Sequence, residues 1–596
     1  MPADLSDSAV TWEDGDAPRS RRHGDVYFSR DDGLSESRAV FLAGCGLPEA
    51  WKGRRHFTVA ELGFGTGLNI AALLTLWNSV REPDARLHVF TIEADPLTAS
   101  EAERALSNWP ELAPVAKLMT ARWPGRARGF HGIDLPELAA TVDVAILEAG
   151  EALEVWSGAA DAWFLDGFAP ALNPDIWRDE VLDLVARRSA PGARAATYTV
   201  AGAVRHGLTS AGFSVTRAPG HGRKRERLEA RLPGALQDRP PPSVAIIGAG
   251  LAGAALNRAL RVQGIEARVY DGDGPGSGAS GGPAGLMAPR LDAGLGPAAA
   301  LFAQAARRAA QLYDATPGAV VARRAIQLPV GPKDPARFAA IAGSDLFEPD
   351  AMTAVLGPED SGEGLSMADA VVARPGAILA RWLGGTIPTR VGRLERHEQR
   401  WRLLDEAGAE IGEADVVCIA AAMDSVRLAP GVAMTPVRGQ ASFTTAFSRP
   451  EATVFGAYVV PMPRGIMFGA THDRGDTSVE IRPEDRARNL AAVGARLPEL
   501  ARRLADSPLD DWSAIRATTH DYLPLAGPAP GGEAGLWLLT GLGSRGLCLA
   551  PLLAEDLAAR IVGVPSPLPV PLAALSDPGR FAARAARKGR PRPSAP

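Results

Sequence analysis

The feature that most constrains this chain is a strand that runs into a glycine-rich turn and then a helix, and it occurs twice. The first copy is FTVAELGFGTGLNIAALL (57–74), and the second is SVAIIGAGLAGAALNRAL (243–260). In both, an apolar run typical of a strand leads into spaced glycines and then into apolar residues at helical spacing. In open α/β sheets, ligands bind beyond the carboxyl ends of such strands. We therefore expect two α/β domains, each with a nucleotide site.

The second loop has the spacing of a dinucleotide-binding turn. Gly248, Gly250 and Gly253 would permit a tight turn, a close pyrophosphate approach and close packing of the helix. An acid that holds a ribose hydroxyl is expected about 20 residues further on, at the end of the next strand. Asp271 in ARVYDGD occupies that place. The complete order of strand, loop, helix, strand and acid predicts a dinucleotide site.

The first loop is accompanied by acids. Glu61 directly precedes the glycine turn, and Glu93 ends the next strand in LHVFTIEADP. The glycines of the turn are Gly63, Gly65 and Gly67. Acids this close would repel a pyrophosphate, but they would suit the ammonium group and ribose hydroxyls of S-adenosylmethionine. The alternative for Glu61 is a solvated turn residue.

Two further strands complete the predicted first site. DVAILEAGEAL (143–153) places Glu151 after a third strand, where we expect it near the adenine amine. A fourth strand, in AWFLDGFAPALNPDIW (162–177), ends at Asp166 and turns at Gly167. There the Asp166 carboxylate would point toward the transferable methyl group, hold a substrate amine and take up its proton. The alternative for Asp166 is a helix N-cap or a turn aspartate.

The length and the linker composition divide the chain. Its 596 residues are too many for one core. The proline run in LPGALQDRPPPS (232–243) is stiff and extended, as a linker would be. We predict a first domain at 1–233, a linker at 234–242, a second domain at 243–575 and a basic tail at 576–596.

Composition excludes several classes of protein. A hydrophobic content of 46% and a charged content of 22% are ordinary for a folded globular chain. Apolar stretches such as IAALLTLW (70–77) are too short to span a membrane, and the N-terminus lacks the order of a secretory signal. Cys45, Cys418 and Cys548 show no disulfide or zinc spacing. We expect a cytoplasmic protein without a metal site or a membrane partner.

The charge distribution limits how nucleic acid could bind. A formal net charge of −5 gives no global attraction, so an RNA partner would have to use local basic patches. Two such patches are HGRKRERLEAR (221–231) and RFAARAARKGRPRP (580–593). Either one taken alone is equally consistent with solvated surface.

Longer motifs run through both halves of the chain. In the first half they are DVYFSRDDGLSESRAVFLAG (25–44), ELGFGTGLN (61–69), DAWFLDGFAPALNPDIW (161–177) and GHGRKRE (220–226). In the second half they are GASGGPAGLMAPRL (278–291), PVRGQAS (436–442), FGATHDRGDT (468–477), RATTHDYLP (516–524) and GLGSRGLCLAPLLAEDLA (541–558). In content and order these motifs resemble the bacterial bifunctional tRNA 5-methylaminomethyl-2-thiouridine biosynthesis family.

The resemblance implies a fold and a pair of reactions. The N-terminal half would be a Rossmann-like S-adenosylmethionine methyltransferase. The C-terminal half would be an FAD-binding Rossmann oxidoreductase of the D-amino-acid-oxidase type, with an α+β substrate subdomain. The oxidase would remove the carboxymethyl group from 5-carboxymethylaminomethyl-uridine at the tRNA wobble position, and the methyltransferase would methylate the exposed amine.

The same resemblance implies the residues of the oxidase site. In TGLGSRGLCLAPLLAEDLAARI (540–561) a glycine-rich loop enters a helix, and a helix N-terminus aimed at the flavin would stabilise the charge of its reduced form. A further glycine-rich loop, GSGASGG (276–282), is expected to lie along the ribityl and phosphate portion. The cofactor candidates in the second half beyond the first loop are Ser280, Gly281, Gly543, Ser544 and Gly546. Arg516 and Arg545 are expected to bind the substrate carboxylate, because arginine offers a fork of donors. Arg438, Tyr458 and His472 are possible second contacts, with a structural role equally open.

The expected partner is tRNA, read at its single-stranded anticodon loop. The candidate phosphate contacts are His221, Arg223, Lys224 and Arg225, with the basic tail a weaker candidate. DNA is not expected as a partner, and the oligomeric state is left open. Two other functions share these features: a fused small-molecule amine oxidase and N-methyltransferase, and an RNA-binding scaffold whose sites have decayed.

Overall fold

The computed structural model describes the chain in segments that fall into two compact units. The described segments are residues 8–12, 17–29, 32–222, 225–235, 240–449 and 451–588. The units are Met1–Pro240 with Gly563–Val570, and Pro241–Val562 with Pro571–Pro596. Among the helices within these segments, none has the length and apolarity required to cross a membrane.

The first unit is built on one large sheet with helices on both faces. Its strands are β1 (Val10–Trp12), β2 (Pro18–Ser20), β3 (His56–Leu62), β4 (Arg86–Glu93), β5 (Gly129–Leu135), β6 (Ala140–Ile146), β7 (Ala160–Leu165), β8 (Ser189–Thr197), β9 (Ser214–Pro219) and β10 (Glu226–Arg231). Its helices are α1 (Gly33–Glu36), α2 (Leu68–Val80), α3 (Ala99–Leu106), α4 (Ala113–Thr120), α5 (Ala149–Val155), α6 (Asp179–Arg187) and α7 (Gly202–Ser210).

The strand order of this sheet creates a crevice between β3 and β7. The order is β5-β6-β4-β3-β7-β8-β10-β9. The five strands from β6 to β8 in this order are parallel, whereas β5, β9 and β10 pair antiparallel to their neighbours. From β3 the chain builds outward through β4 on one side, and it later returns to build outward from β7 on the other. Such a switch point is where open α/β sheets bind ligands.

Each parallel strand contributes side chains to two apolar cores, one on each face of the sheet. On β3, Phe57 and Val59 belong to the core on the α2 side, whereas Ala60 and Leu62 belong to the core on the opposite face. Successive side chains alternate between faces, and both faces are covered. This explains why the parallel strands read as continuous apolar runs in the sequence.

The second unit combines three sheets. Its strands are β11 (Val244–Ile247), β12 (Arg268–Tyr270), β13 (Gly285–Met287), β14 (Val320–Gln327), β15 (Met352–Leu356), β16 (Glu363–Ala373), β17 (Arg393–His397), β18 (Arg400–Leu404), β19 (Glu410–Ala414), β20 (Val416–Ile419), β21 (Thr435–Thr444), β22 (Ala452–Val454), β23 (Tyr458–Pro461), β24 (Ile466–Gly469), β25 (Asp473–Arg474), β26 (Asp510–Thr518), β27 (Leu525–Pro528) and β28 (Leu536–Thr540). The helices from this point of the chain onward are α8 (Leu251–Val262), α9 (Pro297–Asp314), α10 (Asp334–Ala342), α11 (Pro375–Trp382), α12 (Ser425–Leu428), α13 (Pro483–Gly494), α14 (Pro498–Ala505), α15 (Gly546–Val562), α16 (Val570–Ala573) and α17 (Arg580–Lys588).

The five-stranded, mostly parallel sheet of this unit carries the glycine-rich loops that precede α8 and α15. Its order is β12-β11-β20-β28-β27, and the first four strands are parallel. The loop before α8 leaves the carboxyl end of β11, and the loop before α15 leaves that of β28. Both loops therefore open at the same edge. A ten-stranded mixed sheet, in which β21 pairs with β24, β25 and β26, supplies the other wall of the site.

Candidate active sites

The first unit contains a cavity of about 550 Å³ at the switch point of its sheet. Its wall includes several of the predicted site residues: Gly63, Gly65, Glu93 and Asp166. These residues follow or end β3, β4 and β7. They meet because the carboxyl ends of neighbouring parallel strands lie at one edge of a sheet.

Gly63 lets the turn after β3 pass close to the loop after β7. Its φ is +85°, in the left-handed region, and a Cβ there would lie 3.2 Å from the Cα of Gly167. A side chain would be strained and would press on that loop. Gly67, the third predicted glycine, is the N-cap of α2 and lies outside the cavity wall.

Glu93 is held in the wall by two backbone amides. The Gly65 N–H donates to its Oε2 at 2.9 Å, and the Asp95 N–H donates to its Oε1 at 2.9 Å. Burial raises the pKa of the Glu93 carboxyl to about 7. Each oxygen keeps a further lone pair, so this carboxyl can accept hydrogen bonds from hydroxyl groups in the cavity.

Glu61 lies beneath the cavity, which differs from its predicted contact with a cofactor. It is 1% exposed and is not part of the wall. Its Oε1 accepts from Asn69 Nδ2 at 3.0 Å, and its Oε2 accepts from the Thr91 hydroxyl at 2.7 Å. Burial, and then the nearby Asp166, raise the pKa of Glu61 well above its ordinary value. The strand alternation of β3 turns this side chain toward α2 instead of into the opening.

Glu151 also lies away from the predicted position. It is outside the cavity wall, half exposed, and forms an ion pair with Arg128. The acid in the wall at this point is Glu148, the residue before α5, which forms a 3.1 Å ion pair with Arg22. Because α5 begins directly after Glu148, Glu151 is carried one helical turn away from the opening.

Asp166 faces the cavity with both carboxylate oxygens engaged. The Gly167 N–H donates to Oδ1 at 2.9 Å, and Asn69 Nδ2 donates to Oδ2 at 2.7 Å. The N-cap alternative does not describe this residue, because the next helical segment, Pro174–Trp177, has Asn173 as its N-cap. A carboxylate held in this way presents its remaining lone pairs in a fixed direction.

Asp166 is surrounded by aromatic residues that were not among the predicted site residues. The Phe168 ring lies 5.0 Å from the His23 ring and 5.1 Å from the Tyr27 ring, measured between centroids. The Tyr198 hydroxyl donates to the Gly167 carbonyl at 2.8 Å. All of these residues line the cavity. Aromatic rings beside a carboxylate are suited to stack on a nucleobase that carries an amine. In the sequence, the only indication of this was Phe168, two residues after Asp166 in DGFAP.

The second unit contains a cavity of about 710 Å³. Its wall brings together most of the predicted oxidase residues: Gly248, Gly250, Asp271, Ser280, Arg516, Gly543, Ser544, Arg545 and Gly546. The glycines, Ser544 and Arg545 come from the two glycine loops of the parallel sheet, Asp271 and Ser280 from the end of β12 and the loop after it, and Arg516 from β26 of the mixed sheet. Residues up to 300 positions apart in the chain therefore share one site.

Two predicted cofactor residues pack the loops without lining the cavity. A Cβ at Gly253 would overlap the Gly248 carbonyl oxygen, and a Cβ at Gly281 would overlap the Gly276 carbonyl oxygen. Neither glycine is part of the wall. Both keep a loop tight by allowing its backbone to approach closely.

Side-chain oxygens brace the loop between β11 and α8. Asp271 Oδ2 accepts from the Ala249 N–H at 2.7 Å. The Ser280 hydroxyl oxygen accepts from the Leu251 N–H, in the first turn of α8, at 2.9 Å. The loop and the helix N-terminus are thus held in place at the cavity edge. A helix N-terminus presented to a cavity is suited to bind an anionic group such as a diphosphate.

Arg516 and Arg545 are half-buried cations in the cavity wall. Arg516 Nη1 donates to the Thr471 carbonyl at 3.4 Å, and Arg545 Nη1 donates to the Ala288 carbonyl at 3.1 Å. Burial lowers the pKa of both guanidinium groups. Within the described segments neither one forms an ion pair. A partly desolvated charge without a counter-charge is unfavourable, so this cavity is suited to receive an anionic ligand.

The three residues named as possible second contacts to the substrate, Arg438, Tyr458 and His472, do not share one position. Tyr458 and His472 line the cavity. Arg438 does not: it is fully buried, pairs with Asp485 and donates from Nη2 to Gln440 Oε1 at 2.9 Å. Arg438 is therefore a structural ion pair beneath the wall, and the possible role in substrate contact does not fit its position.

Two of the predicted tRNA-contacting residues, His221 and Arg225, lie at the turn between β9 and β10. The Gly220 N–H donates to the Arg225 carbonyl at 3.0 Å, which closes this hairpin, and Arg225 is exposed. His221 is half-buried on the same turn. Arg223 and Lys224 lie outside the described residues, as does the end of the basic tail.

Comparisons with known proteins agree with a transferase joined to an oxidoreductase. Residues 110–233 match the family described as S-adenosyl-L-methionine-dependent methyltransferase, and residues 243–560 match the family described as FAD dependent oxidoreductase. The two cavities therefore belong to a two-domain enzyme with these two cofactor types, and the predicted α/β fold class is confirmed.

Relatives of full length identify the family. The bifunctional protein MnmC of tRNA 5-methylaminomethyl-2-thiouridine biosynthesis from Caulobacter sp. (strain K31) is 55% identical, over 98% of this chain and 99% of that protein. The protein of the same name from Maricaulis maris is 41% identical, over 98% and 97%. A solved glycine oxidase from Geobacillus kaustophilus covers 55% of this chain and 95% of its own, with a TM-score of 0.46 and 20% identity. This chain belongs to the bifunctional tRNA 5-methylaminomethyl-2-thiouridine biosynthesis family.

Proposed function

We propose that this chain modifies the wobble uridine of tRNA in two steps. The second unit removes the carboxymethyl group from 5-carboxymethylaminomethyl-uridine or its 2-thio form, with FAD as oxidant. The first unit then methylates the exposed amine with S-adenosylmethionine. The observation that carries the proposal is the pairing of an acid-rich cavity with a second cavity whose wall holds two half-buried arginines that no acid among the described residues neutralises. The names of the full-length relatives agree with it.

The donors and acceptors of the first cavity fit S-adenosylmethionine. Its wall contains more acids than arginines: Asp25, Glu36, Glu93, Asp95, Glu148, Asp166 and Asp175 against Arg19, Arg22 and Arg178. Such a wall favours a ligand with an ammonium and a sulfonium group and disfavours a diphosphate. Glu93, braced by two amides, is the residue that would hold the ribose hydroxyls.

Asp166 is the residue that prepares the substrate amine. When bound, S-adenosylmethionine supplies an electrophilic methyl group. Asp166 would hold the aminomethyl group and take up its ammonium proton, because only a neutral amine has the lone pair that forms the new N–C bond. Phe168, Tyr27 and His23 would cover the uracil ring and keep water from the amine.

The second cavity fits FAD through its backbone. A Cβ at Gly250 would lie 3.2 Å from the Ser280 hydroxyl oxygen, in the space beside the α8 N-terminus. Because glycine has no side chain, that space stays open to a diphosphate. Asp271 is placed to accept a hydrogen bond from the adenosine ribose, and the loop Gly543–Gly546 opens α15 at the same cavity. When bound, FAD accepts the two electrons and the hydrogen removed from the carbon between the amine and the carboxylate, after which water releases glyoxylate.

Arg516 and Arg545 are the residues that would bind the substrate carboxylate. Each offers planar N–H donors in a cavity where, among described residues, no acid neutralises it. Arg516 lies directly above Gly439, where any Cβ would overlap the guanidinium group. The glycine in PVRGQAS thus makes room for this arginine, and Tyr458 lines the same cavity.

Arg516→Lys is expected to lower kcat/KM for oxidation of the tRNA by about tenfold or more. The change keeps the charge but removes the fork of donors, and a hydrogen bond between charged groups contributes about 1.5–3 kcal/mol. The measurement is the rate of loss of the carboxymethylaminomethyl nucleoside. Arg502→Lys, an exposed arginine on α14, is the matched control. Unchanged oxidation in Arg516→Lys would place the substrate carboxylate elsewhere.

The protein would act in the cytoplasm. It would recognise the anticodon loop of tRNA through the exposed bases and phosphates of that loop. His221 and Arg225, with Arg223 and Lys224 between them in the sequence, form a basic hairpin turn suited to phosphates. Nucleoside mass spectrometry of tRNA from a strain lacking this gene tests the proposal. It should show the carboxymethylaminomethyl nucleoside in place of the methylaminomethyl nucleoside. An unchanged tRNA profile, with turnover of free glycine derivatives by the protein, would favour a small-molecule enzyme.

A further inference from the structure

A buried side-chain bridge connects β3, α2 and the loop after β7. Asn69, the second residue of α2, donates from Nδ2 to Glu61 Oε1 at 3.0 Å and to Asp166 Oδ2 at 2.7 Å. Glu61 is in turn bonded through Oε2 to the Thr91 hydroxyl at 2.7 Å. Asn69 is 7% exposed and Glu61 is 1% exposed. The bridge is therefore shielded from water at Glu61, whereas its Asn69 and Asp166 end lines the cavity.

The bridge determines which end of the Asn69 amide meets Asp166. An asparagine side chain has one amino end that donates and one oxygen that only accepts. Glu61 accepts from the amino end, so a reversed amide would bring its oxygen against the oxygens of both carboxyl groups. Asp166 consequently receives a donor on Oδ2, while the Gly167 N–H occupies Oδ1. Each oxygen of the Asp166 carboxylate thus accepts a hydrogen bond, and the two bonds together restrain its rotation.

Glu61 can perform this role without a negative charge. Its pKa is raised well above the ordinary value by burial, and a neutral carboxyl group still accepts from Asn69 on one oxygen. Its hydroxyl can then donate to the Thr91 oxygen along the same 2.7 Å contact. In either charge state of Glu61, Asn69 donates to both Glu61 and Asp166.

We propose that Asn69 and Glu61 are positioning residues for methyl transfer: Glu61 orients the Asn69 amide, and Asn69 aims the Asp166 carboxylate at the substrate amine. The inference rests on the proposed role of Asp166 and extends it to two residues that act through it. It also gives the Glu61 of ELGFGTGLN a function different from the cofactor contact that the sequence suggests.

Local sequence explains how the bridge is assembled. Gly67 adopts a left-handed conformation, with φ of +76°, and turns the chain so that α2 begins at Leu68. The next residue, Asn69, then projects back over the end of β3. Glu61 and Thr91 are direct neighbours on the paired strands β3 and β4, and both face α2. The bridge thus follows from strand alternation and from the short glycine turn.

The first test is Asn69→Ala in the full-length chain, assayed on tRNA that already carries the aminomethyl group. We expect kcat for methylation to fall by about tenfold or more, the loss typical of a misaligned reacting group. KM for S-adenosylmethionine and for tRNA should stay within about twofold, a split that a folding defect would not produce. Asn108→Ala is the matched control, because its amide donates to the Ala105 carbonyl and Asn108 lies outside the cavity wall.

The second test compares Glu61→Gln with Glu61→Leu. Glutamine keeps an acceptor for Asn69 and a donor for Thr91, so we expect it to retain most of the methylation rate. Leucine removes both, and we expect a loss similar to that of Asn69→Ala. A large rise in the KM for S-adenosylmethionine in Glu61→Gln would overturn the inference, because it would mean that Glu61 binds the cofactor through its charge.

The remaining outcomes separate this inference from the proposed function. Normal kcat in Asn69→Ala, with methylation lost in Asp166→Ala, would overturn the positioning role alone. Normal methylation in Asp166→Ala would overturn the proposed role of Asp166, and the bridge would then be structural. A raised KM for S-adenosylmethionine with an unchanged kcat in Asn69→Ala would make Asn69 a cofactor ligand and would also overturn the inference.

Discussion

Gly250→Asp is expected to abolish oxidation of the tRNA and to leave methyl transfer intact. Gly250 is the N-cap of α8, and a Cβ there would lie 3.2 Å from the Ser280 hydroxyl oxygen, which itself caps the Leu251 N–H. The added carboxylate would occupy the cradle and place a negative charge where a diphosphate must bind. The purified variant should be colourless, and tRNA treated with it should keep its carboxymethyl group.

Methylation by the same variant separates a local effect from misfolding. Supplied with tRNA that already carries the aminomethyl group, Gly250→Asp should methylate at the wild-type rate. Gly385→Asp is the matched control, since Gly385 is exposed and a Cβ there would contact nothing within 4 Å. Retention of flavin absorbance by Gly250→Asp would show that the diphosphate does not bind at this loop.

Asp166→Ala is expected to have the complementary effect. Oxidation should proceed, and the primary aminomethyl nucleoside should accumulate, because the substrate ammonium loses the group that takes up its proton. General-base catalysis typically contributes about 10²–10⁴-fold, so we expect the methylation rate to fall by about 10²-fold or more. Mass spectrometry of digested tRNA measures both nucleosides in one sample.

The control for this substitution is Asp183→Ala, an exposed aspartate on α6. It should produce the methylaminomethyl nucleoside at the wild-type rate. If Asp166→Ala also does so, Asp166 serves only to shape the turn after β7. In that case the proton would have to leave through another acid of the wall.

Sequence patterns were most informative where the backbone defines the site. Glycine turns at strand ends have few alternatives, so Gly63 and Gly250 could be placed before any tertiary contact was known. Gly67 and Gly253 share those motifs, yet they pack loops instead of lining the cavities. Spacing therefore predicted the turn, but it could not show which of its members face the ligand.

Charged side chains were harder to place because their partners are distant in sequence. Glu61 follows an apolar strand in the same way as a cavity acid would, but its contact with Thr91 is made across two strands. Arg438 is neutralised by Asp485, on a helix 47 residues away. Whether a charge meets a ligand or another side chain depends on tertiary packing, and a single sequence does not record that packing.

The central claim is that one chain performs both reactions, in a fixed order, on one nucleoside. The most direct measurement is a two-stage incubation of the purified full-length protein with tRNA from a strain lacking its gene, followed by nucleoside mass spectrometry. Without S-adenosylmethionine, the carboxymethylaminomethyl nucleoside should be converted to the aminomethyl nucleoside and remain there; addition of S-adenosylmethionine should then add one methyl group. A carboxymethylaminomethyl nucleoside that stays unchanged in the first stage, in protein that retains its flavin, would contradict the account.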